Sequence, residues 1–187
     1  FLNNRAKGLT ADQKQLISLG RGLVREDVAA ILMDEPLTVI DPDLKFRLRR
    51  KLKEINAKYK TTLIYVTHDQ NEAMTFADNI IVMDEGEVVQ AGSPKDLFEK
   101  PQTTFVGYFI GSPAMNLYEC KADNSNQVSV GSNNIAVQTN LGSTNTSNLK
   151  LGIRSEYITV EQSSGPNTIH ADIIEVEDFG NYKLITA

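Results

Sequence analysis

Two pairs of residues in the 187-residue chain have the types and spacing for chemistry, Asp34-Glu35 and His68-Asp69. Each pair stands at the carboxyl end of an apolar run, Val28–Met33 and Thr61–Thr67, of strand length and composition. In open parallel sheets, ligands bind in the crevice outside those ends. Asp34 can hold Mg²⁺ there, directly or through water, because hard divalent cations take oxygen ligands. Glu35 can orient or deprotonate a water for attack on a phosphoryl group, and His68 can hydrogen-bond to a terminal phosphate. The constellation suits phosphoryl transfer. Taken singly, Asp34-Glu35-Pro36 reads as a turn and Thr67-His68-Asp69 as a helix cap. Their occurrence on two strand ends favours the chemical reading.

The elements that position these residues follow from the apolar spacing. Leu16, Leu19 and Leu23 predict an amphipathic helix over Gln13–Val24, weakened by Gly20 and Gly22. Val28–Met33 reads as a parallel strand covered on both faces. Asp41-Pro42 is a helix start, with a capping carboxylate and proline at the first helical position. Leu44, Leu48, Leu52 and Ile55 form that helix's core stripe, with Lys45, Arg49, Lys51 and Lys53 off it. The basic stretch Arg47, Arg49, Arg50, Lys51 and Lys53 reads as a solvated face. A second buried strand over Thr61–Val66, a helix over Gln70–Ala77 and a hairpin around Asp84-Glu85-Gly86 follow. Two short helices start near Ser93-Pro94 and Pro101. Strands alternating with helices predict a parallel α/β sheet.

A boundary is expected in Gly111–Asn116, beyond which Asn, Ser, Thr and Gly dominate. Asn116–Ala136, Lys150–Val160 and Ile169–Leu184 carry short β-type runs, which predict a small antiparallel barrel or sandwich. Gly142–Asn148 reads as a loop. Asn145-Thr146-Ser147 matches a glycosylation acceptor by chance, since no secretion signal accompanies it.

Composition bounds the function. With 41% hydrophobic and 23% charged residues, the chain has the material for a packed core. No apolar run approaches the roughly 20 residues of a membrane span. The net charge of −5, with 4 Lys/Arg against 8 Asp/Glu after Asn116, argues against nucleic acid as a partner. Cys120, the single cysteine, reads as a small core residue, and a reducing, cytoplasmic setting is the default. His170 and the scattered Met74, Met83 and Met115 read as structural. The chain begins at Phe1 rather than Met, which suggests a processed chain or a piece of something longer.

Several segments resemble the ATPases of ATP-binding-cassette (ABC) transporters. Ile31-Leu32-Met33-Asp34-Glu35-Pro36 looks like their Walker B motif with its catalytic glutamate, Thr38–Asp41 like their D-loop, and Val66-Thr67-His68-Asp69-Gln70 like their switch histidine. Leu9-Thr10-Ala11-Asp12-Gln13 stands where the LSGGQ signature belongs. Glu72-Ala73-Met74, Met83–Gly86, Gln90–Pro94 and Phe109–Asn116 resemble the importer branch that takes up carbohydrates and glycerol phosphates. Leu151–Glu156 looks like part of that branch's C-terminal OB-like regulatory domain, of the TOBE type.

The resemblance implies ATP and Mg²⁺ as cofactors. It gives Asp34 to Mg²⁺, Glu35 to the attacking water, His68 to the γ-phosphate and Asp41 to communication across a dimer. It implies a head-to-tail pair in which Leu9, Thr10, Ala11, Asp12 and Gln13 touch nucleotide held by the other subunit. Membrane permease subunits, and a place on the inner face of the cell membrane, are further implications. The fold implied is the C-terminal half of a P-loop nucleotide-binding domain over residues 1–112, followed by a partial OB-like domain over residues 113–187.

Two departures qualify this. None of the 12 glycines begins a G-x-x-x-x-G-K-[ST] pattern, so the loop that cradles phosphates is not among these residues. The family's adenine-stacking aromatic and its Q-loop glutamine would lie upstream of Phe1. Ala11 and Asp12 also replace the two signature glycines. A β-carbon narrows the backbone's options, and a carboxylate repels a docking polyanion. Asp12 is therefore expected to weaken nucleotide-driven dimer closure. Two readings follow: an importer ATPase subunit that should not hydrolyse ATP as this chain alone, or a non-catalytic regulatory or interaction module.

Overall fold

The computed structural model describes residues 6–25, 27–124, 126–138, 141 and 148–187. Gly142–Ser147, with the glycosylation-like tripeptide, and Phe1 lie outside the described residues. The chain divides into two compact units, Phe1–Gly111 and Ser112–Ala187.

In the first unit, a 3-10 turn at Ala6–Gly8 leads into α1 (Ala11–Leu23), which runs through Gly20 and Gly22 without a break. A Cβ on Gly22 would meet Ile31 only at ordinary contact distance. Two strands, β1 (Ala30–Asp34) and β2 (Thr62–Val66), pair in parallel with Asp34 opposite Val66. Between them runs α2 (Pro42–Tyr59), started by Asp41, whose Oδ1 accepts from the Asp43 and Leu44 amides. Next comes α3 (Gln70–Phe76), capped by Asp69 through the Asn71 and Glu72 amides. The antiparallel hairpin of β3 (Ile80–Asp84) and β4 (Glu87–Gly92) turns at Glu85 and Gly86, both at positive φ as a tight hairpin turn requires. Two short helices, α4 (Pro94–Glu99) and α5 (Thr104–Phe109), complete the unit.

Two cores meet on α3. Met33, Leu52 and Phe76 are buried with Leu19, Leu23, Ile31, Leu63 and Tyr65 around them. Ile80, Val82, Leu97, Val106 and Ile110 form the other, backed by Ala73, Met74 and Ala77. At the end of α5, the Gly111 amide donates to Gln70 Oε1 at 2.6 Å.

The expectation that β1 is covered on both faces is not met. Leu32 is 67% exposed, and its partner Ile64 and the next residue on that face of β2, Val66, are about half exposed. The residues of α1, α2 and α3 that pack the strand pair all join the Met33 side. Continuous apolar sequence fixes what a strand can bury, not how many faces a neighbour covers.

The second unit is antiparallel, with β5 (Asn116–Glu119), β6 (Lys121–Asn124), β7 (Gln127–Val130), β8 (Asn133–Ala136), β9 (Lys150–Ile153), β10 (Glu175–Asp178) and β11 (Lys183–Thr186). Among the described residues these form three separate sets, β5–β9, β6–β7–β8 and β10–β11, and not one closed cylinder. Val160 and Ile169, expected within β-type runs, lie outside the strands. Cys120, Val128 and Ile135 make the core, so Cys120 is the buried residue its type suggested, and burial pushes its thiol up.

Candidate functional site

The parallel register places the two chemical pairs side by side. Asp34 ends β1 opposite Val66, and the Glu35 amide continues the ladder by donating to the Val66 carbonyl at 2.9 Å. Glu35 then turns sharply, with φ 45 in the left-handed region that non-glycine residues seldom adopt. From there its carboxylate reaches the loop after β2. Oε1 accepts the His68 amide at 3.0 Å and lies 2.6 Å from His68 Nδ1. Oε2 accepts the Thr38 hydroxyl at 2.7 Å. These partners, Thr38 first and then His68, hold the Glu35 carboxyl below its ordinary range.

The pair lies open, with Glu35 34% and His68 76% exposed at the side chain. Asp34 is exposed beside it and lines a small groove between α1 and β1 with Gln15, Leu19 and Pro36. Gln15 fastens α1 there, its Nε2 donating to the Pro36 carbonyl at 3.0 Å. As donor set, Asp34 offers a hard oxygen at a strand end. Among the described residues no group of three or more metal-capable side chains gathers. A lone carboxylate at a strand end is a donor that fits Mg²⁺, which takes one or two carboxylates and completes its shell with phosphate and water.

The structure thus brings Glu35 and His68 together with Asp34 adjacent. Asp41 spends its carboxylate on the start of α2. Thr10 caps α1, its amide donating to Gln13 Oε1 at 3.2 Å and its hydroxyl to the Asp12 carboxylate. Thr10 is therefore the first cause that keeps the Asp12 carboxyl below its usual range. Leu9 and Ala11 flank this cap.

A third carboxylate, Glu72, enters the sequence reading only as part of the Glu72-Ala73-Met74 resemblance, with no role at the site. Glu72, only 4% exposed at the side chain, accepts the Tyr65 hydroxyl at 2.8 Å and the Thr67 hydroxyl at 3.3 Å on Oε2. On Oε1 it faces Lys45 Nζ at 3.4 Å and Arg49 Nη1 at 3.5 Å. The solvated-face reading of α2 is corrected at Arg49, which is four-fifths buried against Glu72. The signal was two cations four residues apart, both off the apolar stripe. Burial, then Glu72, pushes the Tyr65 phenol far above its ordinary range, so it remains a donor.

Among the described residues, no helix is long and apolar enough to cross a membrane. No family model matches the chain. Curated relatives do. The chain is 39% identical to the oligosaccharides import ATP-binding protein MsmX of Bacillus subtilis, over 98% of this chain and 48% of that protein. It is 39% identical to the xylose/arabinose import ATP-binding protein XacK of Haloferax volcanii, over 99% and 49%. The sn-glycerol-3-phosphate import ATP-binding protein UgpC of Escherichia coli O157:H7 is 39% identical, over 94% and 50%. The chain spans about half the length of the curated relatives it matches. With such identity running over nearly every residue, from the Asp34–His68 segment to the antiparallel unit, the chain belongs to the family of ABC importer ATP-binding proteins.

Proposed function

We propose that this chain carries the hydrolytic edge of the ATP site in an importer's ATP-binding subunit, serving sugar or glycerol 3-phosphate uptake. The observation that carries it is the contact between Glu35 and His68 across the ends of two parallel strands. In this reading residues 1–112 are part of a P-loop nucleotide-binding domain, and residues 113–187 part of an OB-like, TOBE-type domain. The parallel β1–β2 pair supports the first and the short antiparallel strands the second. The relatives' printed names, which describe import ATP-binding proteins for oligosaccharides, pentoses and glycerol 3-phosphate, support the solute class.

Bound ATP with Mg²⁺ supplies the electrophilic γ-phosphoryl group and the neutralisation of its charge. Asp34 is the residue that holds the metal. Glu35 orients and deprotonates the attacking water. Both its oxygens are engaged here, so it exchanges the Thr38 or His68 bond for the water. With Nδ1 donating to Glu35, the His68 ring reaches a phosphate oxygen through Nε2 when that nitrogen also carries a proton. Leu9–Gln13 meets nucleotide on a paired ATPase subunit, Asp41 lies at that pairing surface, and permease subunits hold the assembly at the inner face of the membrane.

The test pairs the chain with the half of MsmX outside the match. Mg²⁺-dependent ATP turnover by the mixture, removed by Glu35→Gln and by His68→Ala, is expected, and the chain alone should give no steady turnover. Turnover that survives both substitutions overturns the reading. The self-contained Thr10–Asp12 cap supports the second reading, a non-catalytic module. That reading gains if the mixture binds ATP without turnover.

A further inference from the structure

We infer that Glu72 is a positioning residue, which fixes His68 against Glu35 by clamping Thr67 and ties that setting to the start of α2. The role rests on the reading of Glu35 and His68 given above, but its geometry stands apart from it. Glu72 collects four donors from two elements and a loop. Lys45 and Arg49 come from α2, Tyr65 from β2, and Thr67 from the turn that follows β2.

The Thr67 hydroxyl passes the clamp on. It donates to Glu72 Oε2 and accepts the Asp69 amide at 3.0 Å, so the residues on either side of His68 are bonded to one another through it. Asp69 in turn accepts the Glu72 amide at 3.2 Å. The loop Thr67–Asp69 is thereby closed by its own side chains and anchored to a buried carboxylate. The exposed His68 ring is held by Glu35 at 2.6 Å from Nδ1. On the α2 side, the Lys45 amide donates to the Asp41 carbonyl at 2.8 Å, one turn from the cap. The start of α2 is thus joined to Glu72 by Lys45, and Glu72 to the His68 loop by Thr67.

A carboxylate at this depth with two cations and two hydroxyls is strongly held, because the low dielectric strengthens each charge-assisted bond. Removing one donor loosens the loop without stranding a charge, so Thr67 is the point at which the role can be separated from stability. The chain has two histidines, so the two imidazole ring signals in its NMR spectrum are assigned by His68→Ala. Glu35→Gln shifts the His68 ring signals in the wild-type chain, which measures their contact. The same Glu35→Gln is then made beside Thr67→Ser, Thr67→Val and Glu72→Gln, in variants whose unfolding remains cooperative. The expected result is an undiminished shift with Thr67→Ser, which keeps the hydroxyl, and loss of most of it with Thr67→Val and Glu72→Gln. Should Glu72→Gln not fold, Thr67→Val against Thr67→Ser decides alone. An equal shift in all backgrounds, even with lowered melting temperatures, overturns the inference and leaves Glu72 a structural residue. Insensitivity of ATP turnover to Glu35→Gln and His68→Ala sinks the functional reading and leaves this measurement untouched.

Discussion

Two carboxylates secure the end of β2, and they do so in opposite surroundings. Glu35 reaches His68 and Thr38 at an open edge, whereas Glu72, on α3, is buried with two cations of α2 and two hydroxyls. Exposed pairs contribute little because water competes for both partners. A buried carboxylate is costly to strip of its partners, since no water replaces them. The contrast separates two tasks. Position is set where bonds are hard to exchange, and chemistry is placed where they exchange readily.

Breaking the buried side should have the largest effect. Glu72→Ala leaves Lys45 and Arg49 facing one another and should lower unfolding free energy by about 3–5 kcal/mol, measured by urea titration. A loss no greater than that of Glu35→Gln would remove the contrast. Tyr65→Phe comes next, at about 1.5–3 kcal/mol for one hydrogen bond to the buried carboxylate. Because the folded state raises the Tyr65 phenol above its usual value of 10.0, its contribution is complete below that pH. It declines as pH climbs past 10, where the unfolded chain ionises first. Melting temperatures through that range should therefore fall less steeply in Tyr65→Phe than in the wild type.

On the open side, Glu35→Gln should change stability by less than about 1 kcal/mol. The folded state lowers the Glu35 carboxyl from 4.5, so what stability it gives is present above that pH and fades as pH falls through the lowered value. Glu35→Gln should flatten that part of the acid limb, and an unchanged limb would show the Thr38 and His68 bonds to be energetically silent. The smallest effect on the chain itself belongs to Asp12→Gly, which should lower the melting temperature slightly by removing the Thr10 bond and a helix-end carboxylate from the first turn of α1. In a polypeptide that also carries a phosphate-binding loop, it should strengthen ATP-dependent dimerisation, read by light scattering.

Much of this was legible in the sequence where a local pattern has a local cause. The Asp41-Pro42 pair predicts the start of α2, and there Asp41 caps the helix. Glu85-Gly86 predicts a tight hairpin and both residues adopt positive φ. Apolar runs ending in Asp34-Glu35 and His68-Asp69 place two strand ends, and the parallel ladder makes them neighbours. Glu72 was not legible, because periodicity says that Lys45 and Arg49 leave the apolar stripe but not which side chain meets them. Exposure of Leu32 was hidden for a related reason: a run of apolar residues looks the same with one face covered or two. In the second unit, short alternating runs announce strands without naming partners, and among the described residues those strands form three separate antiparallel sets.

The bond from Gly111 to Gln70 has a practical consequence for dissecting the protein. The last residue of the first unit is fastened to the residue two places after His68, so it is part of that unit's hydrogen-bonded framework. A protease site or a stop codon introduced to free the first unit belongs after residue 111. A cut even one residue earlier would strip Gln70 of a partner beside the loop that carries His68.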